Sequence, residues 1–297
     1  MNDQLSFLES SEFPKNEFIE VDSSLYDGVR FLVKDTTFIV FVRKNSAIGI
    51  ERFHKAINLA WPKWLSFFPI KSQPITILET DWGLGGGSLG PFILAIHLKD
   101  DYDEASAKYL ESILDWPAQS TGSAYINKYY ADFEDPLQAY VTDKIVHELG
   151  HIFFLHGITD LKNEDDVWFA LGMGLVYDRL IWDEVSNIPS PTLKAYNHIW
   201  KTKFANNPEI DQCLINPNTD NDEKFGLVRL QIYSHARAHA YLSSLRIRIG
   251  KSKFDNYVKT YLSRPLGSPI EYDDFLTNFS NDDLKIVRHA ESEFSVR

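Results

Sequence analysis

His147-Glu148-Leu149-Gly150-His151 is the stretch on which the reading of this chain turns. Two imidazoles four residues apart on a helix point the same way and can share one zinc ion, and the glutamate between them stands where a general base for an attacking water is needed. The flanking residues supply the helix. Asp135-Pro136 reads as an N-cap followed by proline at the first helical position, Leu137, Tyr140, Val141, Ile145, Val146 and Leu149 recur at helical spacing, and Gly157 offers a stop. The pentad is therefore expected inside a helix of about five turns, with His147 and His151 on one face as metal ligands and Glu148 as the base. Without an ion, two imidazoles on an apolar helix need other hydrogen-bond partners. The alternative for Glu148 is a buried carboxylate paired with an arginine.

Composition narrows the field. With 297 residues, 44% of them hydrophobic, the chain can bury a substantial core in one large domain or two closely packed ones. A net charge of −12 with scattered basic residues leaves no electrostatic footprint for nucleic acid. The single cysteine, Cys213, excludes an internal disulfide and a cysteine-rich zinc knuckle, so histidine and carboxylate are the donors left for a metal, and a reducing compartment is expected. Met1 to Glu12 lacks a basic segment followed by an apolar core, and no run reaches the roughly eighteen apolar residues of a membrane helix. The expectation is a soluble, cytoplasmic protein with neither membrane nor nucleic-acid partner.

The organisation is that of an α+β protein, with a mixed α/β N-terminal half and a mostly helical C-terminal half. Val29 to Lys34 and Phe38 to Val42 predict an antiparallel hairpin about Asp35-Thr36-Thr37. Ser46 to Ala60 predicts a helix that Trp61-Pro62 breaks or bends. Strands are expected at Pro74 to Leu78 and Phe92 to Leu98, with a glycine-rich turn from Gly83 to Gly90 between them. Beyond Ala105 the signals turn helical, with Ser190-Pro191 opening a helix over Thr192 to Phe204 and Gly250 closing one over Glu223 to Ile249. Asn206 to Asp222 is the most polar stretch and reads as an exposed loop or linker. Three parts follow: 1–135 with the sheet, 136–205 with the pentad helix and its successors, and 206–297, helical.

Gly85-Gly86-Gly87-Ser88-Leu89-Gly90 formally matches a dinucleotide fingerprint. Such a fingerprint holds pyrophosphate where a helix begins after it, whereas Pro91 and a β-run follow here, so a turn between strands is the better reading.

Three segments in order resemble the gluzincin metallopeptidases, the superfamily of thermolysin and the aminopeptidase N type. They are the HELGH helix, Trp168-Phe169-Ala170-Leu171-Gly172-Met173-Gly174, which is similar to the Trp-Leu-x-Glu-Gly-x-Ala segment bearing the third zinc ligand, and Tyr233 to Tyr261 with Asp273 to Leu276 after it. The strand pair about the glycine turn resembles the edge strand beside the substrate cleft, and the similarity covers roughly residues 74 to 280. It implies a zincin-like fold, a Zn2+ cofactor and a peptide or protein substrate. It also places His235 where the family has the tyrosine that stabilises the oxyanion, a hydrogen bond a histidine can donate. Two positions depart from the pattern. Leu171 occupies the place of the third-ligand glutamate, and Gly90-Pro91-Phe92 carries no acid where aminopeptidases capture the substrate's amino group.

Asp178, seven residues past Leu171, faces the same way about 10 Å further along the axis. It is the carboxylate offered here as third ligand, with a role in orienting a histidine, or as a solvated partner of Arg179, as alternatives. Glu164, Asp165 and Asp166 suit the cap and first turn of the following helix. His156 lies half a turn off the ligand face and reads as a helix-end histidine. His235 and His239, with Arg237 between them, either line a polar helix face or bring His235 to the cleft. The sequence thus points to a zinc-dependent metallopeptidase-like protein with Glu148 and His235 as catalytic residues and His147, His151 and Asp178 as ligands. Leu171 raises the alternative of a catalytically degenerate homologue that binds peptides or proteins, and a zinc hydrolase of another substrate has the same sequence signature.

Overall fold

Strands Tyr26–Val33 (β2) and Thr36–Arg43 (β3) pair antiparallel from Tyr26↔Arg43 to Val33↔Thr36, forming the expected hairpin. Its turn is tighter than the sequence suggested. Lys34 and Asp35 both have positive φ, 48° and 64°, and a two-residue connection of this kind matches the twist of the strands it joins. The computed structural model describes residues 5–8, 21–46, 48–80, 86–97, 126, 130–191 and 235–296. The expected helix over Thr192 to Phe204, the polar loop, Cys213 and the start of the Glu223 to Ile249 helix lie outside the described residues.

The described chain divides into two compact units. The first carries a six-stranded sheet in the order β1-β2-β3-β4-β6-β5, adding Ser6–Phe7 (β1), Ile75–Thr80 (β4), Gly86–Gly90 (β5) and Ile93–His97 (β6) to the hairpin. β3, β4 and β6 run parallel, and β5 turns back antiparallel along the end of the sheet. Here the sequence reading needs correction. Among the described residues Gly86–Gly90 is an edge strand, and the reversal falls on Pro91-Phe92, with Phe92 at φ 59°. An edge position pairs on one side only, which lets a glycine-rich segment serve as a strand.

Helix Ile50–Phe67 (α1) connects β3 to β4 and continues through Pro62, so of the expected break or bend the break does not occur. An interior proline forfeits one backbone hydrogen bond and costs about 3 kcal/mol. Burial on the adjoining turns offsets it: Phe53, Ala56, Ile57, Ala60, Trp61 and Trp64 are fully buried.

The pentad helix, Pro136–Phe154 (α2), begins as expected. Asp135 Oδ1 accepts the Gln138 amide at 3.0 Å, the hydrogen bond of an N-cap, and Pro136 follows at the first helical position. The helix is buried more completely than its pattern implies, with Gln138, Thr142, Asp143 and Lys144 buried among Tyr140, Val141, Ile145 and Val146. The polar side chains find partners. Gln138 Nε2 donates to Arg52 O at 3.2 Å and Thr142 Oγ1 at 3.1 Å, and the Tyr130 hydroxyl donates to Asp143 at 2.5 Å.

The second unit is mostly helical. Past Phe154 the chain turns out of α2, with Gly157 N donating to Thr159 O and Ile158 N to Ile152 O. His156 stands at that exit as expected, its Nδ1 3.0 Å from Asp160 Oδ1. Two short strands, Thr159–Asp160 (β7) and Ser268–Pro269 (β8), pair parallel in a half read as mostly helical. A 3-10 turn at Glu164–Asp166 leads into helix Val167–Val185 (α3). Asp166 Oδ1 accepts the Tyr272 amide at 3.0 Å, so this acid serves the start of a helix remote in sequence.

Helices Ala238–Ile249 (α4), Lys251–Leu262 (α5), Tyr272–Leu276 (α6) and Asn281–Glu293 (α7) complete the unit. Gly250 separates α4 from α5 as predicted. α3 and α4 approach closely at Gly172, where an added Cβ would stand 2.6 Å from Ala238 Cβ. A second lock joins Tyr177, Arg246 and Asp255: the guanidinium grips the carboxylate through Nε at 2.7 Å and a terminal nitrogen at 2.8 Å, and the Tyr177 hydroxyl donates to it at 2.8 Å. Among the described residues no helix is long and apolar enough to cross a membrane.

Candidate metal centre

His147, Glu148 and His151 lie on the last three turns of α2, and one ligand atom from each falls within 4.8 Å of the others. This is the only group of three or more histidine, cysteine or acidic side chains so arranged among the described residues. The two imidazoles are the donors suited to share one zinc ion, with the Glu148 carboxylate beside them. The donor chemistry fits zinc. Glu148 and His151 are buried, while His147 is half-exposed, so the group opens to solvent on the His147 side.

The helix that holds these residues is itself held. Trp64, fully buried on α1, donates its indole N–H to Val146 O at 3.0 Å, one residue before His147. One turn earlier Asp143 is buried on the same face as His147, its carboxylate fixed by the Tyr130 hydroxyl. Sequence reading passed over Asp143, although its spacing of four residues before His147 was a signal. Reading also missed Gly86. Its Cα comes up against the Glu148 carboxylate, with room there for no Cβ.

Leu171, Asp178 and His235 lie in the second unit. Leu171 is buried on α3, an aliphatic side chain with no donor atom. Asp178, further along α3, is also buried, at 9% exposure, which corrects the reading of it as a solvated partner of Arg179. His235 is buried on a π-type stretch that leads into α4. Such stretches recur at functional sites. The group of three contains neither Asp178 nor His235.

His239, one turn on, is no member of a solvated polar face. It is 4% exposed, its Nε2 sits 3.1 Å from Ser243 Oγ, and burial, with a smaller contribution from the Arg179 charge, pushes its pKa down to about 4. In the first unit Glu79 is a buried carboxylate that the sequence did not mark. It accepts the Arg43 amide at 3.0 Å and the Ser46 hydroxyl at 2.6 Å, and desolvation outweighs these bonds to raise its pKa.

Comparison of the whole chain with solved structures gives the fold a context. Its structural neighbours include M1 zinc metallopeptidases and an aminopeptidase. A point mutant of the M1 zinc metallopeptidase from Deinococcus radiodurans, bound to a Tyr-Ser-Ala substrate, superimposes with a TM-score of 0.52 at 12% identity over 88% of this chain. Legionella pneumophila aminopeptidase A in complex with aspartic acid gives 0.58 at 11% identity over 99% of it. The chain spans 50% of the first protein's length and 28% of the second's. No protein-family model matches the chain, and no curated protein matches it in sequence.

Proposed function

We propose that the chain is a zincin-like, zinc-dependent metallopeptidase that hydrolyses peptide bonds. The observation that carries this reading is the convergence of His147, Glu148 and His151 ligand atoms within 4.8 Å on one helix. The peptidase fold of the structural neighbours supports it, as does the Tyr-Ser-Ala substrate in one of them. His147 and His151 would hold the ion, with Asp178 proposed as a further, carboxylate ligand. Zinc, when bound, supplies a Lewis acid and water acidified toward neutral pH.

The chain's own residues do the rest. Glu148 takes the proton of the attacking water on a carboxylate oxygen and passes it to the departing amine nitrogen. His235 donates a hydrogen bond to the oxygen that gains negative charge as the carbonyl is attacked. Burial of Glu148 keeps its carboxylate out of bulk water, where a fixed geometry counts for more. A second reading rests on Leu171, buried where a ligand is expected: a degenerate relative that binds peptides or proteins without cleaving them.

Metal content and peptide hydrolysis together separate the two. Protein purified without added zinc is compared with the His147→Ala, His151→Ala double variant. Near one equivalent in the wild type and none in the variant is expected, together with hydrolysis of a mixed peptide library by the wild type alone. Equal trace metal in both would end the enzyme reading, and zinc without hydrolysis would favour the binding module.

A further inference from the structure

Glu148 is buried, and its carboxylate rests against the edge strand at a residue that has no side chain. A Cβ built on Gly86 would overlap Glu148 Oε1, stand 2.6 Å from Glu148 Cδ and lie 2.9 Å from Ala95 O on β6. The neighbouring Gly87 has nothing within 4 Å of such an atom. The close approach therefore belongs to position 86 and not to a glycine strand in general. Something must yield if a side chain is placed there. β5 is tied to β6 through the pairs Gly86↔Ile96 and Gly87↔Ala95, whereas the carboxylate ends a chain of rotatable bonds. The carboxylate, which meets the larger overlap, is the softer partner, while the Ala95 O contact asks a small shift of the strand.

We propose that Gly86 is the positioning residue for Glu148: by lacking a Cβ it lets the carboxylate seat against β5, and any side chain at 86 drives that carboxylate aside while leaving His147 and His151 in place. The contact stands on geometry alone, and its catalytic consequence rests on the metallopeptidase reading. A base displaced by about 1 Å loses on the order of 10²-fold in rate.

Crystal structures of metal-free Gly86→Ala and Gly87→Ala, together with zinc content and peptide hydrolysis of the zinc-loaded variants, test it. In Gly86→Ala the Glu148 carboxylate is expected about 1 Å or more from its wild-type place with both imidazoles unmoved, zinc stoichiometry unchanged and kcat down about 10²-fold. In Gly87→Ala the carboxylate keeps its place. Adding Gly86→Ala to Glu148→Ala should cost no further activity, because the group being positioned is already gone. An unmoved carboxylate in Gly86→Ala, an equal displacement in Gly87→Ala, or multiplying losses in the double variant would each overturn the proposal. Should Gly86→Ala fail to fold, a soluble Gly86→Ala, Glu148→Ala protein supports it and an equally insoluble one refutes it. A wild type with no hydrolytic activity would remove the metallopeptidase reading, and the crystal structures would then decide the positioning by themselves.

Discussion

Trp64 donates its indole N–H to Val146 O at 3.0 Å, a buried hydrogen bond from α1 to the residue that precedes His147. The local pattern of α2 makes a helix, and this contact fixes where that helix lies against its neighbour. Trp64→Phe keeps an aromatic ring but removes the donor and some volume, and is expected to cost about 1–2 kcal/mol in urea unfolding. A cost below the error of the measurement would show that packing alone holds the two helices together.

Asp255 is the shared acceptor for Arg246 and Tyr177, with the ion pair only 12% and 16% exposed. Asp255→Ala leaves a largely buried guanidinium without its carboxylate and should destabilise the protein by about 2–4 kcal/mol. Arg246→Ala, which strands the carboxylate instead, should fall in the same range. Additive losses in the double variant would show that the two residues do not act as a pair.

His239 sets an acid limit. Its folded-state pKa of about 4 lies below the unfolded value of 6.5, so between these two the unfolded chain binds the extra proton. Stability from this group is complete above pH 6.5 and falls as pH drops toward 4, by about 3 kcal/mol in all. His239→Gln, which stays neutral, should flatten the profile of unfolding free energy across that window. A variant with an unchanged acid slope would assign the sensitivity to other groups.

Zinc should stabilise the folded chain by mass action, about 2.7 kcal/mol at a free concentration one hundred times Kd. Differential scanning with and without zinc should therefore show a higher midpoint for the wild type and the same midpoint for the His147→Ala, His151→Ala variant. A chelator should return the wild type to its metal-free midpoint. Equal zinc shifts in both proteins would place the binding elsewhere.

What could be read from the sequence was what is encoded locally. The hairpin at β2 and β3 and the capped helix bearing the pentad follow from alternation, turn residues and helical spacing within a few residues of each other. Pro62 misled because its cost is local while the burial of Trp61 and Trp64 that offsets it comes from tertiary packing. Gly86–Gly90 has the composition of a turn, and only pairing with β6, a non-local event, makes it a strand. The candidate site divides the same way. His147, Glu148 and His151 could be found by spacing, whereas the contact of Glu148 with Gly86 joins residues 62 positions apart and leaves no periodic trace.

β5 ends the sheet with three glycines in five residues. A strand paired on one side only, as β5 is among the described residues, leaves backbone donors and acceptors over, which in an apolar strand invites fibril-like growth. Glycine removes the side chains that would make such growth adhesive. The same poverty of side chains that makes the strand hard to recognise in the sequence works against aggregation at the rim of the sheet.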